Sequence, residues 1–142
     1  MEDMKFTIPG TPFGKQRPRV VHNGNFSKAY TPKETVSYEN LVKTSYSDIA
    51  RGRKFQDDAM LDVRIIAYYP IPKSVSKKKR KEMLEHKIRP TKKPDWDNIG
   101  KIICDSLNQI AYRDDAQIVD SQVRKFYSEN PRVEVIIKEV AG

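Results

Sequence analysis

The sequence predicts an α+β domain, with a small, mostly antiparallel mixed sheet of about four strands flanked by helices. Two observations predict it. Segments of alternating apolar residues lie near both ends of the chain and in its middle, and segments with helical periodicity lie between them. The chain has 142 residues, which matches one domain, so residues 1–142 are expected to form a single unit around one core.

The first elements are a short strand, a long loop and a helix. Met4–Ile8 alternates and ends at a Pro-Gly pair. From there to Pro32 the chain is rich in Gly, Pro and basic residues, which favours an irregular loop. Thr31 is expected to cap a helix with Glu34 as its capping-box partner, and the helix should run to about Ala50. Its predicted apolar stripe is Tyr38, Leu41, Val42, Ser45 and Ile49.

The middle of the chain predicts a strand followed by two helices. Leu61–Tyr69 alternates and is stopped by two prolines. Ser76 can cap a short basic helix that extends to about His86. Asp95 or Asp97 opens the next helix, whose apolar face is Ile99, Ile102, Ile103 and Leu107.

Two strands are predicted at the end of the chain. Ile118–Tyr127 and Arg132–Val140 are separated by Ser-Glu-Asn-Pro, which is typical of a turn. Because the connection is so short, we expect these strands to pair with each other in antiparallel fashion.

The charge of the chain points to a polyanionic partner. It has 27 Lys and Arg against 19 Asp and Glu, a net charge of +8, and residues 73–93 hold ten Lys or Arg against two Glu. Nucleic acid is the first candidate and an anionic membrane surface the second. The single cysteine, Cys104, excludes an intrachain disulfide framework and Cys-based zinc sites. With no apolar leader or spanning segment, we expect a soluble, cytoplasmic protein without a membrane partner.

An acidic cluster flanked by lysines stands out in this basic chain. At about 100° per residue, Asp97, Lys101 and Asp105 share one polar helix face, and Asp95 lies at the helix entry. Carboxylate oxygens are the ligands that Mg²⁺ prefers, and Asp114-Asp115 can supply a third group. Two ordinary roles compete with this interpretation, since Asp often caps helices and often pairs with Lys four residues away.

At this point the sequence resembles the RusA family of Holliday junction resolvases. The resemblance lies in three closely spaced motifs, P-D-x-D-N-x-x-K over residues 94–101, D-x-L-N over residues 105–108, and D-D-x-Q-[IV] over residues 114–118. The opening Pro9-Gly10-Thr11-Pro12 with its basic residues and the Tyr30-Thr31-Pro32 helix start are also similar to many members. The resemblance covers nearly the whole chain, with residues 73–89 the most variable part.

The resemblance implies a site and an activity. The catalytic, metal-binding aspartates are expected at Asp95, Asp97 and Asp115, and the essential lysine at Lys101. Members are homodimers that bind Mg²⁺ and make paired nicks across a four-way DNA junction. Some members carry Arg directly before the first aspartate, where this chain has Pro94, so the neighbouring lysines 92 and 93 are expected to take that basic role.

Other residues are assigned to DNA and to support of the site. Asn98 is expected to hydrogen-bond an active-site aspartate or a phosphate. Trp96 is expected to pack under the helix start rather than to stack on DNA. Apolar residues at positions 66, 68 and 136 (Ile66, Tyr68, Ile136) are candidates for the dimer interface. The expected DNA backbone contacts are Lys15, Arg17, Arg19, Lys77, Lys78, Lys79, Lys92 and Lys93.

The sequence is therefore interpreted as a Mg²⁺-dependent endonuclease that resolves four-way junctions in DNA recombination and repair. Two other interpretations stay open. A non-catalytic branched-DNA-binding protein would have the same basic surface, with carboxylates that serve only as caps. A Mg²⁺-dependent phosphatase or nucleotidase would share the carboxylates but would need a closed small-molecule pocket.

Overall fold

A computed structural model describes residues 1–141 as an α+β fold, which confirms the predicted class. Its strands are β1 (Met4–Pro9), β2 (Arg19–Asn23), β3 (Phe26–Tyr30), β4 (Leu61–Pro70), β5 (Ile118–Ser128) and β6 (Arg132–Glu139). Its helices are α1 (Lys33–Ala50), α2 (Lys77–Leu84) and α3 (Trp96–Ser106). Within the described residues no helix is long and apolar enough to cross a membrane.

The main sheet has the strand order β1-β6-β4-β5. β6 pairs antiparallel with both β1 and β4, whereas β4 and β5 run parallel. The predicted pairing of the last two strands is therefore wrong. β4 is buried on one face and half-buried on most of the other, so it takes a central position with a partner on each edge. The three-residue connection 129–131 accordingly crosses to the far side of β4.

The core lies between one face of this sheet and helices α1 and α3. β1, β4 and β6 each bury alternate residues on that face. α3 contributes the predicted isoleucines Ile99, Ile102 and Ile103, all fully buried. The ring of Phe6 on β1 meets Tyr46 of α1 edge to face at 5.5 Å between centroids. The buried isoleucines thus fix α3, the helix that carries the acidic motif, against the sheet.

Helix starts were predicted with mixed success. Ser76 caps α2, since its hydroxyl accepts a hydrogen bond from the backbone N–H of Lys79 at 3.2 Å, and Asp95 occupies the N-cap of α3. The predicted Thr31 cap is wrong, because Pro32 occupies the N-cap of α1 in an extended conformation and α1 begins at Lys33. The buried stripe of α1 also differs from the predicted one: Tyr46 and Ala50 are buried, whereas Ile49 is 49% exposed.

The loop predicted between residues 9 and 32 is in part a hairpin. β2 and β3 pair antiparallel as a separate two-stranded sheet, from Arg19 opposite Tyr30 to Asn23 opposite Phe26. Gly24 opens the two-residue turn with φ of +61°, a conformation that favours glycine and matches tight hairpins. The many Gly, Pro and basic residues in this segment favoured the prediction of an irregular loop over that of two strands.

Candidate active site

The first two motif aspartates lie at the exposed N-terminus of α3. Asp95 is the N-cap residue, yet its carboxylate accepts no capping hydrogen bond. Neither Asp95 nor Asp97 has a side-chain hydrogen bond or ion pair within residues 1–141, and Lys101 pairs with Asp105 instead, at 3.6 Å. The two ordinary structural roles of these aspartates, helix cap and Lys partner, are therefore unfilled. Both carboxylates are available to an external ligand.

Asp115 is brought to the same region by the segment after α3. This residue begins a single 3₁₀ turn that leads directly into β5. The side-chain oxygen of Asn108 accepts a 2.8 Å hydrogen bond from the backbone N–H of Asp115. The Gln117 side chain accepts from the N–H of Arg113 at 2.9 Å and donates to the Gln56 carbonyl at 2.9 Å. The amide residues of the second and third motifs thus fix the backbone around Asp115.

Asp97, Lys101 and Asp115 line one groove of about 330 Å³. Trp96 and Cys104 also line it. The helical spacing of Asp97 and Lys101 was predicted to place them together, and the structure does so. Trp96 is 65% exposed, so the prediction that it packs beneath the helix start is wrong. The groove therefore presents two carboxylates, one ammonium group and an exposed indole.

Asp95 faces a second groove of about 700 Å³. The loop after β1 forms its other wall, with Gly14 so close to Pro94 that an added Cβ would lie 2.8 Å from the Pro94 Cβ. The backbone N–H of Lys15 donates to the Asn98 carbonyl at 3.2 Å. Predicted site residues that line this groove are Lys15, Arg17, Lys93, Asp95 and Asn98. The two grooves flank the first turn of α3.

Asp105 is a fourth carboxylate of the site, held by two lysines. Its Oδ2 lies 2.8 Å from the Lys15 Nζ and 3.6 Å from the Lys101 Nζ. Burial acts to raise the pKa of this carboxyl, but the hydrogen bond and charge of Lys15, helped by Lys101, lower it below its usual value. Lys15, expected to contact DNA, is thus engaged by an acidic partner 90 residues away.

The carboxyl group of Asp105 also interacts with that of Asp115. Burial raises the pKa of Asp115, and its contacts with Asp114 and Asp105 raise it further. Two carboxylates in contact repel each other unless a proton or a cation intervenes. Within the described residues no three His, Cys, Asp or Glu side chains are grouped closely enough to hold a metal ion. Mg²⁺ commonly binds one or two carboxylates together with waters and substrate phosphates. Asp97 and Asp115 provide ligands of this type.

The remaining predicted DNA contacts lie on separate exposed surfaces. Lys77, Lys78 and Lys79 lie in the first turn of α2. No acidic residue lies in that turn. Like charges at the positive end of a helix dipole are unfavourable for the helix, so an anion there would stabilise it. The Lys92 Nζ lies 5.9 Å from the centre of the Tyr127 ring, and its carbonyl accepts from Lys125 at 2.7 Å. Arg19 begins the exposed hairpin.

Two supporting tyrosines were not identified from the sequence. The Tyr69 hydroxyl donates to the Pro94 carbonyl at 2.5 Å, and the Tyr112 hydroxyl donates to the Cys104 carbonyl at 2.6 Å. Both are buried core residues whose polar ends hold the backbone on either side of the α3 face. In the sequence they were indistinguishable from other core aromatics.

Comparisons with known proteins find a matching family and a similar relative. The model of the family described as endodeoxyribonuclease RusA matches residues 9–138, which include both grooves and the hairpin. The uncharacterized protein YqaN of Bacillus subtilis (strain 168) is 40% identical over 145 aligned positions, and the alignment covers the full length of both chains.

Proposed function

The chain belongs to the RusA family, and from this premise we propose that it is a Mg²⁺-dependent endonuclease that resolves four-way DNA junctions by paired nicks in recombination and repair. Family membership indicates endonuclease activity on Holliday junctions in general. The observation that supports this function most directly is the groove shared by Asp97, Lys101 and Asp115. It combines oxygen ligands for a cation with an ammonium group for a phosphate.

Asp97 and Asp115 would hold Mg²⁺, and Asp95 at the helix entry is the candidate for a further ligand. When bound, the ion supplies Lewis-acid stabilisation of the phosphate and lowers the pKa of an attacking water. Lys101 contacts the scissile phosphate and stabilises the negative charge that develops on its oxygens. Asp105, which pairs with this lysine at 3.6 Å, orients it toward the groove.

The DNA backbone follows the basic surfaces on both sides of the site. Arg17 and Lys93 line the second groove and can bind phosphates next to the cut. Lys92 and the lysines of the first α2 turn are proposed to bind DNA phosphates further from the cut, each on its own exposed surface. Asn98, at the wall between loop and helix, is proposed to hydrogen-bond a phosphate there. Contacts of this kind give affinity without sequence selection and are weakened by salt.

A homodimer follows from the requirement for two cuts. Each chain carries one acidic site, and a C₂ dimer places two such sites on opposed strands of a four-way junction. The candidate interface residues Ile66, Tyr68 and Ile136 are half-buried and lie on the sheet face opposite the core formed with α1 and α3. A DNA-processing dimer without a membrane partner is proposed to act in the cytoplasm.

Cleavage assays separate this proposal from a non-catalytic branched-DNA-binding protein. A labelled four-way junction and a linear duplex of the same arm sequences are incubated with Mg²⁺ or with EDTA. We expect paired nicks in the junction only with Mg²⁺, and no cutting of the duplex. Tight junction binding without cleavage at any divalent-ion concentration would favour the non-catalytic function. Hydrolysis of a nucleoside monophosphate would favour a phosphatase.

A further inference from the structure

We propose that the β2–β3 hairpin is an arm that enters the branch point of junction DNA and stacks exposed bases on Phe26 and Tyr30. The inference rests on the proposed function and adds the place where the branch point is bound. All ten strand residues of the hairpin are exposed, and Phe26 is 80% exposed. Because a free two-stranded ribbon is marginally stable in water, such an arm is suited to a partner that covers it.

One face of the hairpin has the chemistry of a base-stacking platform. Strand alternation places Phe26, Lys28 and Tyr30 on the same face of β3. Their register partners on β2 are Asn23, Val21 and Arg19, and the face contains a cleft of about 490 Å³. Aromatic rings bind the faces of exposed bases, and cations between them bind the backbone.

The charge around the arm complements DNA. No Asp or Glu occurs between Met4 and Lys33, whereas Arg17, Arg19 and Lys28, none of which has an acidic partner within residues 1–141, fall within that stretch. A protein partner with an acidic surface could also meet this charge, but it would not require two rings at alternate positions of one strand. The combination favours nucleic acid with accessible base faces.

The stem of the hairpin is fixed to the active site. Just before the hairpin, the Lys15 N–H bonds the Asn98 carbonyl on α3, and the Gln16 side chain accepts from the buried Thr35 hydroxyl of α1 at 3.1 Å. After the hairpin, β3 leads within three residues into α1. The arm therefore extends from the wall of the groove that contains Asp95.

These features predict selectivity for branched DNA. In a linear duplex the base faces are covered by their neighbours, whereas at a branch point base pairs open at low cost. A stacking arm should therefore contribute to junction affinity and little to duplex affinity. A ribbon that lay in the major groove of a duplex would contribute equally to both.

The test measures binding in EDTA, so that no cleavage occurs. Affinities for a fluorescent four-way junction and for the matching duplex are compared among wild type, Phe26→Ala, Phe26→Leu and Tyr30→Ala. The matched control is Val20→Ala, which removes an exposed apolar residue from the opposite face of the same hairpin. A junction with 2-aminopurine at the branch point reports base stacking directly.

We expect Phe26→Ala to weaken junction binding about 5- to 150-fold, the loss of one base–aromatic stack, and to leave duplex binding within about twofold. Phe26→Leu should be as weak as the alanine variant, and the control should match wild type. The inference is overturned if the leucine variant binds like wild type, if Phe26→Ala weakens duplex and junction equally, or if 2-aminopurine emission is unchanged on binding. A wild-type protein that fails to prefer the junction would instead overturn the proposed function.

Discussion

Replacement of Lys15 by methionine is expected to destabilise the fold without reducing the number of DNA contacts. The Lys15 Nζ donates to the Asp105 Oδ2 at 2.8 Å, and both side chains are less than one-third exposed. A hydrogen bond of this charged kind contributes about 1.5–3 kcal/mol. Because the Lys101 ammonium remains 3.6 Å from the same oxygen and partly replaces the lost partner, the expected loss is near or below the lower end of this range, about 1–2 kcal/mol.

For a chain of this length, that loss corresponds to a Tm decrease of about 3–6 °C. Arg17→Met is the matched control, since Arg17 lies on the same loop, is exposed and forms no ion pair within residues 1–141. The control should melt like wild type. A double-mutant cycle of Lys15→Met with Asp105→Asn isolates the coupling between the two side chains.

In salt-dependent junction binding, Arg17→Met is expected to differ from wild type and Lys15→Met is not, the reverse of their effects on Tm. If Arg17 contacts a phosphate, its loss reduces the slope of log Kd against log salt by about 0.9, whereas the slope for Lys15→Met stays at the wild-type value. The reasoning is refuted if Lys15→Met melts like wild type, if the cycle gives no coupling, or if the slope falls by the amount of one phosphate contact. The last result would restore Lys15 as a DNA-binding residue.

Three further predictions concern the site and its surroundings. Asp97→Asn should cut junctions at least ~100-fold more slowly while binding them as tightly as wild type, because one metal ligand is lost; wild-type rates at saturating Mg²⁺ would contradict this. Joint replacement of Lys77, Lys78 and Lys79 by alanine should reduce the salt slope by about 2–3, and an unchanged slope would place DNA elsewhere. Burial raises the pKa of the Cys104 thiol to about 11, so the reactive thiolate is scarce at pH 8. In metal-free buffer the rate of Cys104 alkylation should therefore increase with pH up to about 11. A rate that stops increasing near pH 9 would contradict the burial of this thiol.

Several of the helices and strands that depend on residues close together in the sequence were predicted correctly. β4 follows from alternation, α2 from a serine cap, and the α3 face from a 3.6-residue period that also placed Asp97 beside Lys101. The hairpin was missed although Gly24-Asn25, the two residues of its turn, form a dipeptide that is typical of hairpins. Glycine, proline and basic residues around that dipeptide outweighed it in the interpretation.

Features that join distant residues were not predictable in the same way. β6 pairs with β1 and β4 rather than with β5. This order depends on which strand is apolar on both faces, and the short connection between β5 and β6 suggested a different pairing. The contact between Lys15 and Asp105 joins residues 90 positions apart, and the basic charge of the loop suggested a DNA contact instead. Asn108 and Gln117 lay within the quoted motifs, but only their hydrogen bonds to the Asp115 segment give them a role.

The strand order has a consequence for synthesis on the ribosome. β6 is the last strand to be translated, yet it occupies the position between β1 and β4. A nascent chain that has emerged only through α3 already displays most of its lysines and arginines, but it still lacks β5, on which α3 packs, and β6, which joins β1 to β4. The acidic site is therefore complete only after β5 and β6 have emerged and paired, so a partly made chain is expected to bind nucleic acid before it can cut it.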